Sequence, residues 1–149
     1  MHRKLFRLAL TLSLIICISV CFKNIPTAKP KQLIGTFKVI DGSTLAIDGK
    51  TYRLAGLQGP TSRQKCKKGS LPWLCGAAAK KFVTQKIDGL ILRCGLLEAN
   101  TIQCFLKGRD LSVIIVKAGW AVSTIKNDTY KQAERHAQKN GLGLWPKTK

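Results

Sequence analysis

The chain has 149 residues, with 26 Lys and Arg against 7 Asp and Glu, a formal net charge of +19. That length holds one domain with a modest core, and the 45% hydrophobic content is ordinary for a globular protein. The positive surplus favours polyanions such as nucleic acid, anionic lipid or acidic polysaccharide without choosing among them; a general solubility charge is the plain alternative.

The charge is spread along the chain. The nearest cluster is Lys65, Lys67 and Lys68, which is too short for a basic tail and fits a folded surface. At the start, His2, Arg3, Lys4 and Arg7 precede an apolar run from Leu8 to Phe22. Basic-then-apolar order is the pattern of a secretory signal, and this run is shorter than the roughly 20 residues that span a bilayer comfortably. Residues 1–22 therefore read as a cleaved signal or an uncleaved membrane anchor, with a lipid-modified Cys21 as a third form. All three predict an exported domain, periplasmic or secreted, or held at the inner membrane. Residues 23–32, which contain Pro26 and Pro30, read as a linker, and residues 33–146 as the domain.

From Leu33 the pattern becomes strand-like. "LIGTFKVI", "STLAI" and "TYRLAGL" are three β-rich runs separated by Asp41-Gly42 and Asp48-Gly49, the second being the stronger hairpin signal. Residues 58–74 are punctuated by Gly59, Pro60, Gly69 and Pro72 and read as irregular. "GAAAKKFVTQKI", 76–87, reads as a helix burying Ala78, Phe82 and Ile87. Two more strands are expected at 90–97 and 101–106. Asp110 then caps a buried helix that Gly119 ends. Asp128 is expected to cap a last helix over 129–140, with Tyr130, Ala133 and Ala137 on its inner face, Gly141 as its stop and Trp145 packed behind it.

Cys17 and Cys21 lie in the signal segment, which leaves Cys66, Cys75, Cys94 and Cys104. They lack the paired spacing of a zinc site, so in an oxidising compartment disulfides are the better reading. Closeness in sequence favours Cys66–Cys75 and Cys94–Cys104, the second across an expected hairpin. Five strands with one helix between the third and fourth, then two helices, predict an α+β fold with a five-stranded OB-fold barrel and three helices. The face of such a barrel commonly binds oligonucleotides or oligosaccharides.

At this level of detail the chain resembles the staphylococcal nuclease-like (thermonuclease) family. "VIDGSTL" resembles V-I-D-G-D-T-L, and "YRLAGLQGPT" resembles R-L-x-G-I-D-A-P-E. "CKKGSLPWLCG" is similar to the Cys-Trp-Cys loop of small secreted members. "GRDLSVIIVKAGWA" and "YKQAERHAQKNGLGLW" resemble the segments that follow. The resemblance runs from about Gly35 to Trp145. It implies calcium-dependent cleavage of DNA and RNA phosphodiesters by a carboxylate base, two phosphate-holding arginines and two metal-binding aspartates.

Carried onto this chain, the aspartate positions fall on Ser43 and Gln58, and a backbone calcium contact falls on Gly59. The general-base glutamate falls on Thr61, and the second arginine on Ala99 or Asn100. Only the first arginine is retained, as Arg53. Calcium takes hard oxygen ligands, with carboxylate charge supplying much of its affinity; Ser43 and Gln58 offer neutral oxygen. Thr61 has no basic group near neutral pH, and a missing arginine removes a clamp on transition-state charge.

The residues therefore point to a pseudo-nuclease that binds a polyanion, nucleic acid or an acidic envelope polymer, as a monomer. Arg53, Tyr52, Lys65, Lys67 and Lys68 are its binding candidates. No cofactor is expected, and calcium only where activity is retained. Asp41 is the one weak metal candidate, with an Asp-Gly turn cap as its plainer role. Asp48, Glu98 and His136 read as solvated. The competing reading is a secreted thermonuclease-like endonuclease with residual or rebuilt activity.

Overall fold

A computed structural model of the chain describes residues 31–98 and 100–146. The expected signal or anchor, nearly all of the linker, and Ala99 lie outside those residues. Strand β1 (Gln32–Gly35) and strand β2 (Lys38–Val39) are two halves of the predicted first strand. Strand β3 (Thr44–Ile47) turns into β4 (Lys50–Leu54) through Asp48 and Gly49, with φ of 51° and 73°. Two successive positive φ values are what a type I′ hairpin requires, which explains the Asp-Gly pair. Strand β5 (Leu57–Gln58) follows.

The stretch read as irregular contains a small hairpin, β6 (Cys66–Lys68) and β7 (Leu71–Trp73). Helix α1 (Cys75–Ile87) comes next, then β8 (Leu92–Glu98), β9 (Thr101–Leu106) and β10 (Arg109–Asp110). Helix α2 (Leu111–Lys117), strand β11 (Val122–Ser123) and helix α3 (Asp128–Asn140) complete the order.

The main sheet runs β1-β8-β9-β4-β3-β2, with β10 on β9. All pairs are antiparallel except β4 with β9, where Arg53 stands beside Thr101 and Leu54 beside Ile102. The two ends of this order, β1 and β2, are separated in sequence only by Thr36 and Phe37. One short chain segment thus borders both edges, so the sheet is strongly curled, a half-barrel whose core it shares with the helices. Leu45, Leu54, Ile102 and Leu92 from the strands meet Ile115 and Val116 of α2 in one core.

Both disulfides form as expected, Cys66–Cys75 and Cys94–Cys104. Cys94 and Cys104 are direct cross-strand neighbours on β8 and β9. Cys75 opens α1, so the first bridge ties the small hairpin to that helix. Two bridges fit an oxidising, exported setting. Among the described residues no helix is long and apolar enough to cross a membrane.

Two local expectations are corrected. Helix α1 buries Ala79, Val83 and Ile87, one position on from Ala78 and Phe82, which stay partly exposed. Phe82 instead lies beside Trp120, ring centroids 6.1 Å apart, under the Lys86 ammonium. The cap of α3 is Asn127, whose Oδ1 accepts from the Tyr130 N–H, while Asp128 occupies the first turn. Gly141 ends that helix at φ 64°, as read.

Candidate functional site

The residues singled out by the resemblance gather where the β3–β4 hairpin meets the loop after β5. Thr44 pairs with Arg53, the Leu54 N–H donates to the Ser43 carbonyl at 2.8 Å, and the Arg53 N–H donates to the Asn100 carbonyl at 2.8 Å. Ser43, Arg53 and the β8–β9 turn therefore share one end of the sheet. Gly42 joins the other partner segment: its N–H points to the Pro60 carbonyl at 3.4 Å. An ideal Cβ on Gly59 would stand 2.7 Å from the Gly42 carbonyl carbon and 2.8 Å from its oxygen. Residue 59 must be glycine for the two loops to meet this closely.

Within this arrangement Ser43 and Asp41 face each other, while Arg53, Gln58 and Thr61 are exposed. Ser43 is buried; its N–H donates to Asp41 Oδ1 at 2.8 Å and its hydroxyl to the same oxygen at 3.2 Å. Asp41 is thus the Asx cap of its own turn, the plainer of its two sequence readings. Gln58 is exposed on β5 and pairs with Val122 of β11. Thr61 is exposed, and its carbonyl lies against Gly76 in the first turn of α1. Arg53 is exposed. Asp48 and Glu98 are exposed, as is His136, whose Nδ1 is 3.4 Å from the Lys117 carbonyl. Among the described residues, no group of three or more His, Cys, Asp or Glu side chains is placed to hold a metal ion.

The binding candidates divide. Tyr52 is 8% exposed and belongs to the core, which removes its ring as a stacking platform. Lys65, Lys67 and Lys68 are exposed on and beside β6. Further cations, not singled out by motif, extend that surface: Arg63, Lys80 and Lys81 line a shallow concavity of about 560 Å³ with Ser62, Thr84 and Gln85. The signal for it was present in the sequence. From Gly49 to Ile87 there are nine Lys and Arg and no Asp or Glu.

A second polar centre escaped sequence reasoning because its members are far apart in the chain. Asp110 Oδ1 caps α2 by accepting from the Ser112 N–H at 2.8 Å. Its Oδ2 accepts from Gln103 Nε2 at 3.0 Å and from the Tyr130 hydroxyl at 2.9 Å. Burial, then the neighbouring Asp110 charge, holds the Tyr130 phenol well above its ordinary range. Gly56 leaves room for the Tyr130 ring, since a Cβ there would lie 2.8 Å from its Cζ. This centre lines a cavity of about 370 Å³ together with Leu97 and Ile125.

No protein-family model matches the chain, and no curated protein matches it.

Proposed function

We propose that this is an exported domain of the staphylococcal nuclease-like type, a five-stranded OB-fold barrel, that has lost calcium-dependent phosphodiesterase activity and binds polyanions through its basic surface. The barrel reading is supported by the parallel β4–β9 pair and by the 32–39 segment bordering both sheet edges. Export is supported by the two disulfides.

The observation that carries the functional reading is the inward-turned loop at residues 41–43. The position expected to ligate calcium is a buried serine whose hydroxyl donates to Asp41, the carboxylate beside it. Gln58 and Thr61 nearby are neutral, so beyond the engaged Asp41 these positions offer neither carboxylate charge for calcium nor a base for water. Arg53 remains as an exposed cation among eight others in an acid-free stretch. Partners are nucleic acid or an acidic envelope polymer, held by charge.

A direct test follows labelled single-stranded DNA and an acidic polysaccharide binding to the oxidised protein as salt is raised. The reading expects the logarithm of the affinity to fall linearly with the logarithm of salt concentration. Absence of binding to either polymer at low salt would sink it.

A further inference from the structure

We infer that a nucleic-acid backbone is held on the outer side of helix α1, in the concavity formed by Arg63, Lys80 and Lys81, rather than in the degenerate cleft at Ser43 and Arg53. The inference rests on the polyanion reading and assigns it a surface and a partner. Three features place it there.

The first is convergence. Arg63 comes from the loop after β5, and Lys80 and Lys81 come from the second turn of α1, yet all three line one concavity. Gly76 makes the approach possible: a Cβ there would collide with the Thr61 carbonyl, and its N–H donates to the Gln64 carbonyl at 3.1 Å. The loop carrying Arg63 is thereby locked onto the helix.

The second is an uncompensated charge. Lys65, Lys67 and Lys68 lie on and beside the hairpin that the Cys66–Cys75 bridge fixes to the same helix; Lys68 lines a separate concavity with Trp73 and Trp120. No carboxylate occurs between Asp48 and Asp88 in the sequence. Three carboxylates elsewhere are engaged by neutral donors: Asp41 by Ser43, Asp110 by Gln103 and Tyr130, and Glu134 by the Ser123 N–H.

The third is the chemistry of the lining. Arg, Lys, Ser, Thr and Gln are the side chains that contact phosphate oxygens in nucleic-acid complexes. Thr84 is the exception: its hydroxyl donates to the Lys80 carbonyl at 2.9 Å and is not free for a phosphate oxygen. No aromatic side chain lines the concavity. Base stacking is therefore not part of this surface, and recognition follows the backbone without regard to sequence.

The test compares Arg63→Gln/Lys80→Gln/Lys81→Gln with Arg53→Ala, and with Lys38→Gln/Lys107→Gln/Lys139→Gln, which removes equal charge from other elements. Fluorescence anisotropy of a labelled DNA strand is read across a salt titration, with near-ultraviolet circular dichroism confirming the fold of each variant. The α1 triple variant should lose on the order of tenfold in affinity, with a salt slope shallower by about 2. Arg53→Ala, which removes one cation of the same acid-free stretch, should lose less than the α1 triple variant. Three results overturn the inference: an equal loss in the control triple variant, a larger loss in Arg53→Ala, or a loss in the α1 variant for acidic polysaccharide but not for DNA. Failure of the unaltered protein to bind either polymer instead overturns the polyanion reading beneath it.

Discussion

Asp41 and Ser43 close on each other: one carboxylate oxygen accepts both the backbone N–H and the hydroxyl of the serine, at 2.8 and 3.2 Å. This pairing turns the carboxylate next to the expected calcium site into a loop brace. Asp41→Ala should therefore lower stability by about 1–2 kcal/mol, the scale of losing hydrogen bonds to a charged acceptor. Denaturant midpoints measure this, and affinity for DNA should be unchanged. Calcium-dependent stabilisation lost on the same substitution would contradict the brace assignment.

Gly76 separates a local from a long-range requirement. Its position inside a helix makes glycine unfavourable by itself, yet a Cβ would strike the Thr61 carbonyl. Gly76→Ala should thus destabilise, by about 1–3 kcal/mol, despite the gain in helix propensity. Thermal unfolding checks the sign. A more stable alanine variant would mean that the 61–64 loop is free to move away from α1.

Tyr130 gives a pH prediction. Its folded pKa is raised above the unfolded value, by burial and by Asp110. Stability from this group is complete below the unfolded value of about 10 and declines as pH rises beyond it. Tyr130→Phe should destabilise the protein at neutral pH by losing the bond to Asp110. It should also remove part of the alkaline decline, so the two stability curves converge above about pH 10. Parallel curves would contradict the assignment.

Much of this fold was legible because its signals are local. Asp48-Gly49 specified a hairpin, Asp110 a cap and Gly141 a stop, each set by the backbone of a few neighbouring residues. The disulfide pairs were legible because each closes a short loop. The β6–β7 hairpin was not, since Pro72 and Gly69 mask a strand pair stabilised by the bridge from Cys66 to α1. Helix α1's inner face was misplaced by one residue because tertiary packing selects Ala79 and Val83, leaving Phe82 for Trp120. At the candidate site, the positions that depart from the resembled motifs were readable one by one. Their consequence, a serine folded onto Asp41 and a Gly59 pressed against Gly42, needed coordinates. The Asp110–Tyr130 pair, 20 residues apart, carries no sequence pattern at all.

The two bridges should differ in accessibility. Cys94 and Cys104 are both fully buried between β8 and β9, whereas Cys66 is partly exposed. Thiol attack depends on access, so mild reductant should open Cys66–Cys75 first. Loss of each bridge should cost about 2–4 kcal/mol. Mass spectrometry after timed alkylation resolves the order, and early modification of Cys94 or Cys104 would refute it. Opening Cys66–Cys75 should also weaken DNA binding, because Lys67 and Lys68 lose their fixed position beside α1.

Cleavage of labelled single-stranded DNA, with calcium or with EDTA, tests the proposed loss of chemistry most directly. The oxidised natural protein should show no metal-dependent product. A variant carrying Ser43→Asp, Gln58→Asp, Thr61→Glu and Ala99→Arg, with Gly59 left in place, should show calcium-dependent cutting. Metal-dependent cleavage by the natural protein, abolished by Arg53→Ala, would contradict the pseudo-nuclease reading and show a working site around Arg53.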